Sequence, residues 1–491
     1  MSCLGRFVFL GLQLRPFRAS SRRFLPSVPF TEQHKNHMMK ITSQLDYEVI
    51  LANRARPVYF ALQFAAPHLE QARPQPAAFC IVLDRSGSMQ GPPLAKAKQA
   101  AQLAVRNLRP GDQFSLVVFD NEAQIQVPLQ SVADKEKIIN LIEGIHTGGS
   151  TNLTGGWMLG RDELARSVGG ATRRLLMLSD GQLNHGVVEP LAVRQIVAAG
   201  LETQSIRTSC LGFGESYNED LMTSLAQVTN GQFYDADSPE KFPGIFESEL
   251  EGLQKIVVQN LRVRLRKLDF CESMKPLGNY TSVARPGGWV EYAVGDLVCD
   301  ETRVACFSLD VLPLPWLDGQ PVASLEGERL LELEVLFDEI GEKEVASRSF
   351  TQVVRIQATQ DPAEVRQTVE VIPWVAMQRA GKVLDEVTRF MDMGEHGQAV
   401  ALLRQTMDAL GEYGPNAPVG EALKLLQGLM NRIEQGDWSI RERKHSKYMS
   451  HSLRKMSSSE RWSSSEPSPS FKHGPKHPPS QQPPPAGGSI T

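Results

Sequence analysis

Residues 77–88 read AAFCIVLDRSGS. Seven apolar residues in a row lead to Asp84, and two hydroxyl side chains, Ser86 and Ser88, follow at alternate positions. A short apolar run that ends in turn residues is typical of a strand buried on both faces of a sheet. The stretch therefore predicts a buried strand with three oxygen-bearing side chains at its carboxyl end. Asp and Ser also cap helices, but a cap needs one such residue and not a spaced trio.

The residues that follow alternate between strand and helix patterns. Apolar runs at 113–119, 174–178 and 206–211 predict further strands, and segments of helical periodicity lie between them. This alternation implies a doubly wound, mostly parallel sheet with helices on both faces. We therefore assign residues 76–253 to an α/β, Rossmann-like domain. In such a sheet, ligands bind beyond the carboxyl ends of the strands.

Two other segments bring oxygen donors to that edge of the predicted sheet. Residues 148–154 read GGSTNLT, and Asp180 lies just beyond the strand predicted at 174–178. Carboxylate and hydroxyl oxygens select hard cations, Mg²⁺ first and then Mn²⁺ or Ca²⁺. Because Mg²⁺ prefers six ligands, at least one position stays open for water or for a carboxylate of a partner protein.

These donors resemble the metal-ion-dependent adhesion site of von Willebrand factor A domains. The five matching residues are Asp84, Ser86, Ser88, Thr151 and Asp180. The resemblance covers residues 76–253 and implies direct ligation by the two serines, with Thr151 as a further candidate. It also implies that the two aspartates often act through water. The wider layout is similar to bacterial calcium-activated chloride channel homologues and to inter-alpha-trypsin inhibitor heavy chains, and the channel name implies no pore.

Some residues near the predicted site have alternative interpretations. Thr151 is favoured over Thr154 as the hydroxyl ligand because it has the spacing of the resembled family, whereas Thr154 is expected on the following helix. Asp120 follows the strand predicted at 113–119. It either supports the metal site from behind or lies in a solvated turn with Asn121, and the solvated turn is favoured.

The remaining chain divides into four further parts. Alternating apolar residues predict strands on both sides of the α/β segment, and two strands alone cannot bury a core. We therefore expect an antiparallel β-sandwich built from both flanks, followed by a small helical domain. The expected parts are a basic leader or a mis-assigned start at 1–39, a β-sandwich at 40–75 with 254–360, a helical domain at 361–440, and a disordered Ser/Pro/basic tail at 441–491.

Charge and composition restrict the partners that we expect. The net charge is −4, and because residues 1–40 and 441–491 each carry +6, the residues between them carry −16. An acidic body argues against nucleic-acid binding by the folded part. There is no run of eighteen apolar residues, so we expect no membrane span.

The six cysteines are too few for a disulfide scaffold of this length, which favours a reducing compartment. A bridge between Cys299 and Cys306 across a hairpin stays open. We expect a cytoplasmic protein, with secretion or export through the N-terminal leader as the alternative.

The sequence predicts a binding protein and not an enzyme. Motifs for phosphate loops, zinc proteases, serine hydrolases and dinucleotide sites fail, and no base is evident beside the predicted metal. We expect a divalent-cation-dependent module for adhesion or scaffolding, whose protein ligand supplies an Asp or Glu. The alternatives are a metal-assisted hydrolase in the same crevice and a structural scaffold that binds through its helical domain.

Overall fold

The structure is a computed structural model of the chain. The described residues are 38–68, 76–168, 171–179, 185–214, 217–236, 238–314, 316–317, 320–321, 327–340, 345–413 and 417–455. The predicted leader falls outside them except for its last two residues, Met38 and Met39.

The described strands run in the following order. They are β1 Lys40–Leu45, β2 Tyr47–Leu51, β3 Arg56–Ala65, β4 Ala77–Asp84, β5 Gln113–Phe119, β6 Ala123–Ser131, β7 Thr172–Ser179, β8 Ile206–Phe213, β9 Phe233–Ala236, β10 Ile256–Lys267, β11 Cys271–Pro276, β12 Thr281–Arg285, β13 Trp289–Val298, β14 Thr302–Val311, β15 Trp316–Leu317, β16 Gln320–Pro321, β17 Glu328–Ile340, β18 Val345–Thr359 and β19 Arg366–Gln367.

Six of the described α-helices accompany the α/β sheet, and four follow the last strand. They are α1 Pro92–Asn107, α2 Lys135–Glu143, α3 Leu153–Ala165, α4 Pro190–Gln204, α5 Glu219–Val228, α6 Phe242–Gln254, α7 Ile372–Asp392, α8 His396–Gly411, α9 Ala417–Glu434 and α10 Ile440–Lys455. Within the described residues, none of these helices combines the length and apolar character needed to cross a bilayer.

The predicted α/β fold class is confirmed. Six strands form one sheet in the order β6-β5-β4-β7-β8-β9, and all neighbours are parallel except β5 and β6. Every residue of β4 is buried. Phe79, Ile81 and Leu83 pack into one hydrophobic cluster, whereas Ala78, Cys80 and Val82 pack into another on the opposite face. Helices on both faces explain why the sequence of β4 is continuously apolar.

The strands on both flanks of the α/β unit build two facing sheets. One has the order β1-β3-β14-β11 and the other β12-β13-β10-β17-β18-β2-β19, and one hydrophobic cluster takes side chains from both. Because β3 pairs with β14, the α/β unit lies between segments that are neighbours in space. The strands of this sandwich pair antiparallel, as expected, except at one place, where β2 runs parallel to β18. The antiparallel β19 covers the other edge of β2, so β2 is not left as an exposed edge strand.

Period-two alternation in the sandwich separates a buried face from a charged one. On β10, Val263 and Leu265 are fully buried, and Arg264 lies between them on the other face. Arg264 donates to Glu291 of β13 at 2.6 Å and to Glu334 of β17 at 2.9 Å. Opposite charges across neighbouring strands thus stabilise the solvent face of this sheet.

The C-terminal helices pack around α7, and a single hydrophobic cluster takes side chains from α7, α8, α9 and α10. The bundle is joined to the sandwich through the buried side chain of Gln378 on α7. Its Nε2 donates to the carbonyl of Val304 at 2.7 Å, and its Oε1 accepts from the backbone N–H of Cys306 at 3.2 Å. These bonds pair buried backbone groups of β14 with the bundle.

The prediction of a disordered tail from 441 was wrong for residues 441–455, which form most of α10. The reason is that acidic side chains of other helices hold α10, and few apolar residues are involved. Arg443 pairs with Glu219 of α5 and Asp392 of α7, and Lys447 pairs with Asp385 of α7 at 2.9 Å. Residues 456–491 lie outside the described residues.

The buried carboxyl group of Asp46 makes stability dependent on pH. Burial raises its pKa to about 6, although the N–H of Tyr59 donates to its Oδ1 at 2.7 Å. Because the folded state holds this proton more tightly than the unfolded chain does, the favourable contribution is present at low pH and is lost as pH rises through about 6. We expect the free energy of unfolding to fall by on the order of 2 kcal/mol from this group between pH 4 and 7.

Asp46→Asn keeps the acceptor for Tyr59 and removes the charge. Urea unfolding of both proteins between pH 4 and 7 measures the effect, and the variant is expected to lose this part of the pH dependence. An identical pH dependence in the two proteins would contradict this account of Asp46.

Candidate metal centre

Asp84, the first of the predicted site residues, lies where the strand order of the α/β sheet changes direction. The chain adds β5 and β6 on one side of β4 and then β7, β8 and β9 on the other. The carboxyl ends of β4 and β7 therefore border the crevice in which ligands bind in such sheets. Asp84 ends β4, and Ser179 ends β7.

Asp84 fixes the turn that follows β4. Its side chain is fully buried, and its Oδ1 accepts from the backbone N–H of Ser86 at 2.8 Å. Its Oδ2 accepts from the hydroxyl of Ser179 at 2.6 Å. The carboxylate thus holds its own turn and ties that turn to the neighbouring strand.

The two serines of the turn place their hydroxyls side by side. Ser86 is 3% exposed, Ser88 is exposed, and their Oγ atoms are 3.1 Å apart. Two ligands at right angles on a cation with bonds of about 2.1 Å are about 3.0 Å apart, so this spacing suits one shared ion. The capping interpretation fails for Ser86, which precedes the short helix Gly87–Met89 without capping it through its side chain.

The glycine-rich loop is hydrogen-bonded directly to the Asp84 turn. The N–H of Gly148 donates to the carbonyl of Arg85 at 2.7 Å, and the N–H of Gly87 donates to the carbonyl of Gly149 at 3.1 Å. Thr151 is 4% exposed and lies two residues beyond these contacts. Thr154, its competitor in the sequence, lies on α3 and donates to the carbonyl of Val187 at 2.7 Å. The structure thus brings the loop that carries Thr151 against the turn that carries the serines.

Asp120 supports this loop from behind, and the favoured interpretation of it as part of a solvated turn was wrong. Its carboxylate is buried and pairs with Arg85 at 3.0 Å. Its carbonyl accepts from the N–H of Asn152 at 2.7 Å. Next to it, the side chain of Asn121 accepts from the N–H of Ser150 at 2.7 Å. Both ends of the loop are therefore held by the residues that follow β5.

Sequence reasoning missed two residues of this arrangement, Ser179 and Arg85. Ser179 was not considered, although its position just before Asp180 at a strand end was a usable signal. The pair between Arg85 and Asp120 had no signal in the sequence, because it depends on how two loops meet. Asp180 itself lies outside the described residues, so its ligand role stays a prediction, as do the ligand roles of the other four residues.

The donor set fits a hard divalent cation. The hydroxyls of Ser86 and Ser88 and the carboxylate of Asp84 are all oxygen donors, and they meet in one turn at the rim of the sheet. Oxygen ligands suit Mg²⁺, Mn²⁺ and Ca²⁺ and do not select Zn²⁺ or Cu²⁺. Ser88 is exposed, so an ion held here would be reachable from solvent.

Comparison with known proteins identifies the type of domain that carries this site. The family model of the von Willebrand factor type A domain matches residues 79–248. A solved structure of a von Willebrand factor type A protein from Catenulispora acidiphila covers 81% of this chain and 91% of its own, with a TM-score of 0.63 and 16% identity. At that identity, the likeness concerns the fold alone.

Two relatives show different degrees of overlap in sequence. An uncharacterized protein of Synechocystis sp. is 25% identical over 352 residues, which cover 70% of this chain and 80% of that protein. Inter-alpha-trypsin inhibitor heavy chain H1 of Bos taurus is 27% identical over 223 residues. That match covers 43% of this chain and only 24% of the heavy chain, so this chain corresponds to a minor part of it.

Proposed function

Since this chain contains a von Willebrand factor type A domain, a type that generally mediates protein–protein interactions, we propose that it binds a protein partner through a divalent cation. The ion is Mg²⁺ or a similar hard cation, and the partner supplies an Asp or Glu carboxylate to it. The protein acts as an adhesion or scaffold module and not as an enzyme.

One observation carries this proposal. The turn with Asp84, Ser86 and Ser88 is hydrogen-bonded to the loop that leads to Thr151, and the hydroxyl of Ser179 connects the same turn to β7. Separate parts of the sequence thus contribute to one edge of the sheet. This convergence supports a single cation that is shared among these segments. A chance match of sequence motifs would not be expected to bring them together.

The side chains divide between holding the ion and holding the loops. Ser86, Ser88 and Thr151 are the proposed direct ligands, and Asp84 and Asp180 contribute charge through water. Arg85 and Asp120 position the glycine-rich loop and do not touch the ion. A bound dication supplies a positive centre that neutralises the clustered carboxylates and attracts an acidic side chain.

Partner capture from a lysate of the source cells, in Mg²⁺ and in EDTA, tests the proposal. We expect the protein to retain at least one specific partner in Mg²⁺, to lose more than about nine tenths of it in EDTA, and to regain it when Mg²⁺ is restored. A Ser88→Ala variant, which removes an exposed donor, is expected to behave in Mg²⁺ as the wild type does in EDTA.

Capture that is unchanged in EDTA and in Ser88→Ala would overturn the metal-dependent mechanism. If that partner were instead lost on removing the helices after residue 371, the scaffold alternative would replace it. Phosphatase or nuclease turnover that requires Mg²⁺ and is lost in Ser88→Ala would favour the hydrolase alternative.

A further inference from the structure

Three side chains of different chemistry meet in a cluster that shares no residue with the oxygen site. They are His68, just beyond β3, and Cys299 and Asp300, in the turn between β13 and β14. His68 Nδ1 lies 2.8 Å from Asp300 Oδ2, and Cys299 Sγ lies 3.5 Å from the same oxygen. One ligand atom from each residue lies within 4.8 Å of those of the other two. Because His68 and Asp300 are 232 positions apart, no sequence spacing reveals this cluster.

Backbone hydrogen bonds hold the two segments together. The N–H of Ala66 donates to the carbonyl of Glu301 at 2.8 Å, and the N–H of Cys299 donates to the carbonyl of Lys255 at 2.8 Å. Asp300 has a φ of 60°, in the left-handed region that aspartate tolerates better than most residues. The turn is therefore fixed independently of any ligand, and it presents a thiol and a carboxylate on adjacent residues.

The donor set differs in kind from that of the α/β domain. Imidazole nitrogen, thiolate sulfur and carboxylate oxygen together are the ligands of Zn²⁺, whereas Mg²⁺ and Ca²⁺ take oxygen. Ligand atoms around a tetrahedral Zn²⁺ are about 3.3 Å apart for nitrogen and oxygen and about 3.5 Å apart for sulfur and oxygen. The sulfur–oxygen distance already matches. The shorter nitrogen–oxygen distance is that of a hydrogen bond, which need open by only about 0.5 Å to reach the tetrahedral spacing.

We propose that His68, Cys299 and Asp300 form a zinc site with a fourth position for water. Binding replaces the thiol proton of Cys299 by the metal, so one proton is released as the sulfur–zinc bond forms. This inference does not rest on the proposed function, since it uses different residues and a different class of metal.

The position of the site indicates its effect. His68 lies on the segment that leaves the sandwich toward β4, and Cys299 is bonded to Lys255, which links α6 to β10. A zinc ion here would therefore tie together both connections between the sandwich and the α/β unit. We expect it to stiffen that junction and to raise the melting temperature of the whole chain.

Cys299 is well suited to this role among the cysteines that the structure describes. Burial raises the pKa of the Cys80 thiol to about 12 and that of the Cys271 thiol to about 11, and Cys210 and Cys306 are fully buried. Cys299 is only half-buried. It does not form the disulfide with Cys306 that the sequence left open, so its sulfur can serve as a ligand.

Cobalt binding to the full chain tests the site. The protein carries Cys3→Ala, since Cys3 lies outside the described residues, and is kept reduced in saturating Mg²⁺ so that the oxygen site is filled. We expect one equivalent of Co²⁺ to give a thiolate-to-cobalt charge-transfer absorption, and Zn²⁺ to abolish it by displacement. Cys299→Ser should lose the absorption, and His68→Gln should weaken Zn²⁺ binding at least about tenfold.

His396→Gln is the matched control, because it removes an exposed imidazole elsewhere, and it should leave cobalt and zinc binding unchanged. Circular dichroism should show all variants folded. A protein that gives no thiolate–cobalt absorption, or one whose absorption persists in Cys299→Ser, would show that the three side chains are only hydrogen-bonded to one another and do not bind a metal.

Discussion

Replacing Asp84 by Asn is expected to lower the affinity for Mg²⁺ by more than about a hundredfold. Even residues that only hydrogen-bond to the metal ligands typically contribute 10- to 100-fold to metal affinity. Asp84 is fully buried at the end of β4, and its carboxylate holds the turn that carries the two serines. The substitution removes its negative charge and keeps an oxygen that can accept from the N–H of Ser86. Isothermal titration of the metal-free proteins with Mg²⁺ or Mn²⁺ measures the change.

The same variant separates loss of metal from loss of fold. The Asn side chain keeps the acceptor for the N–H of Ser86 and can donate its amide N–H to the hydroxyl of Ser179, while a buried charge is removed. Metal-free Asp84→Asn should therefore unfold in urea no more easily than the metal-free wild type. Added Mg²⁺ should stabilise the wild type and leave the variant unchanged. Equal Mg²⁺ affinity in the two proteins would mean that Asp84 has no part in metal binding.

Gly148→Ala is expected to disrupt the loop that leads to Thr151. A Cβ atom at this position would lie 1.8 Å from Oδ2 of Asp120. Asp120 would have to move away from Arg85, with which it forms an ion pair at 3.0 Å. Because the buried side chain of Asp120 is displaced, we expect a loss of about 1–3 kcal/mol in the free energy of unfolding and a loss of metal affinity of about tenfold or more.

Gly87→Ala is the matched control for this prediction. Gly87 lies between the two serines, yet the nearest atom to its added Cβ is the carbonyl oxygen of Gly148 at 4.0 Å. Urea unfolding and Mn²⁺ titration should therefore show the control to be close to the wild type. Equal stability and equal Mn²⁺ affinity in the two variants would show that the close approach of Gly148 to Asp120 does not position the loop.

The α/β unit was predictable because its signals are local. β4 is buried on both faces, so its sequence is continuously apolar, and the oxygen-bearing residues follow at once. The order of strands and helices then places Asp84 and the end of β7 on one edge, as crossover connections require. Ser179 and the pair between Arg85 and Asp120 depend on contacts between loops, for which a single sequence carries little signal.

The errors elsewhere have related physical causes. α10 was missed because its sequence is basic and serine-rich, and the acidic residues that stabilise it, such as Glu219 and Asp392, lie far away along the chain. The parallel pairing of β2 with β18 joins segments from opposite flanks of the α/β unit. The proposed zinc site likewise depends on a long-range contact, because His68 is 232 positions away from Asp300. In each case a long-range contact decides the local structure or site.

Anomalous diffraction from crystals grown with Mn²⁺ tests the central claim most directly, because it locates the ion. We expect one strong peak at the turn after β4, about 2.1 Å from the hydroxyl oxygens of Ser86 and Ser88, with Thr151 and Asp180 around it. A map at saturating Mn²⁺ with no peak at this turn, or with its main peak elsewhere, would show that this turn is not the metal site.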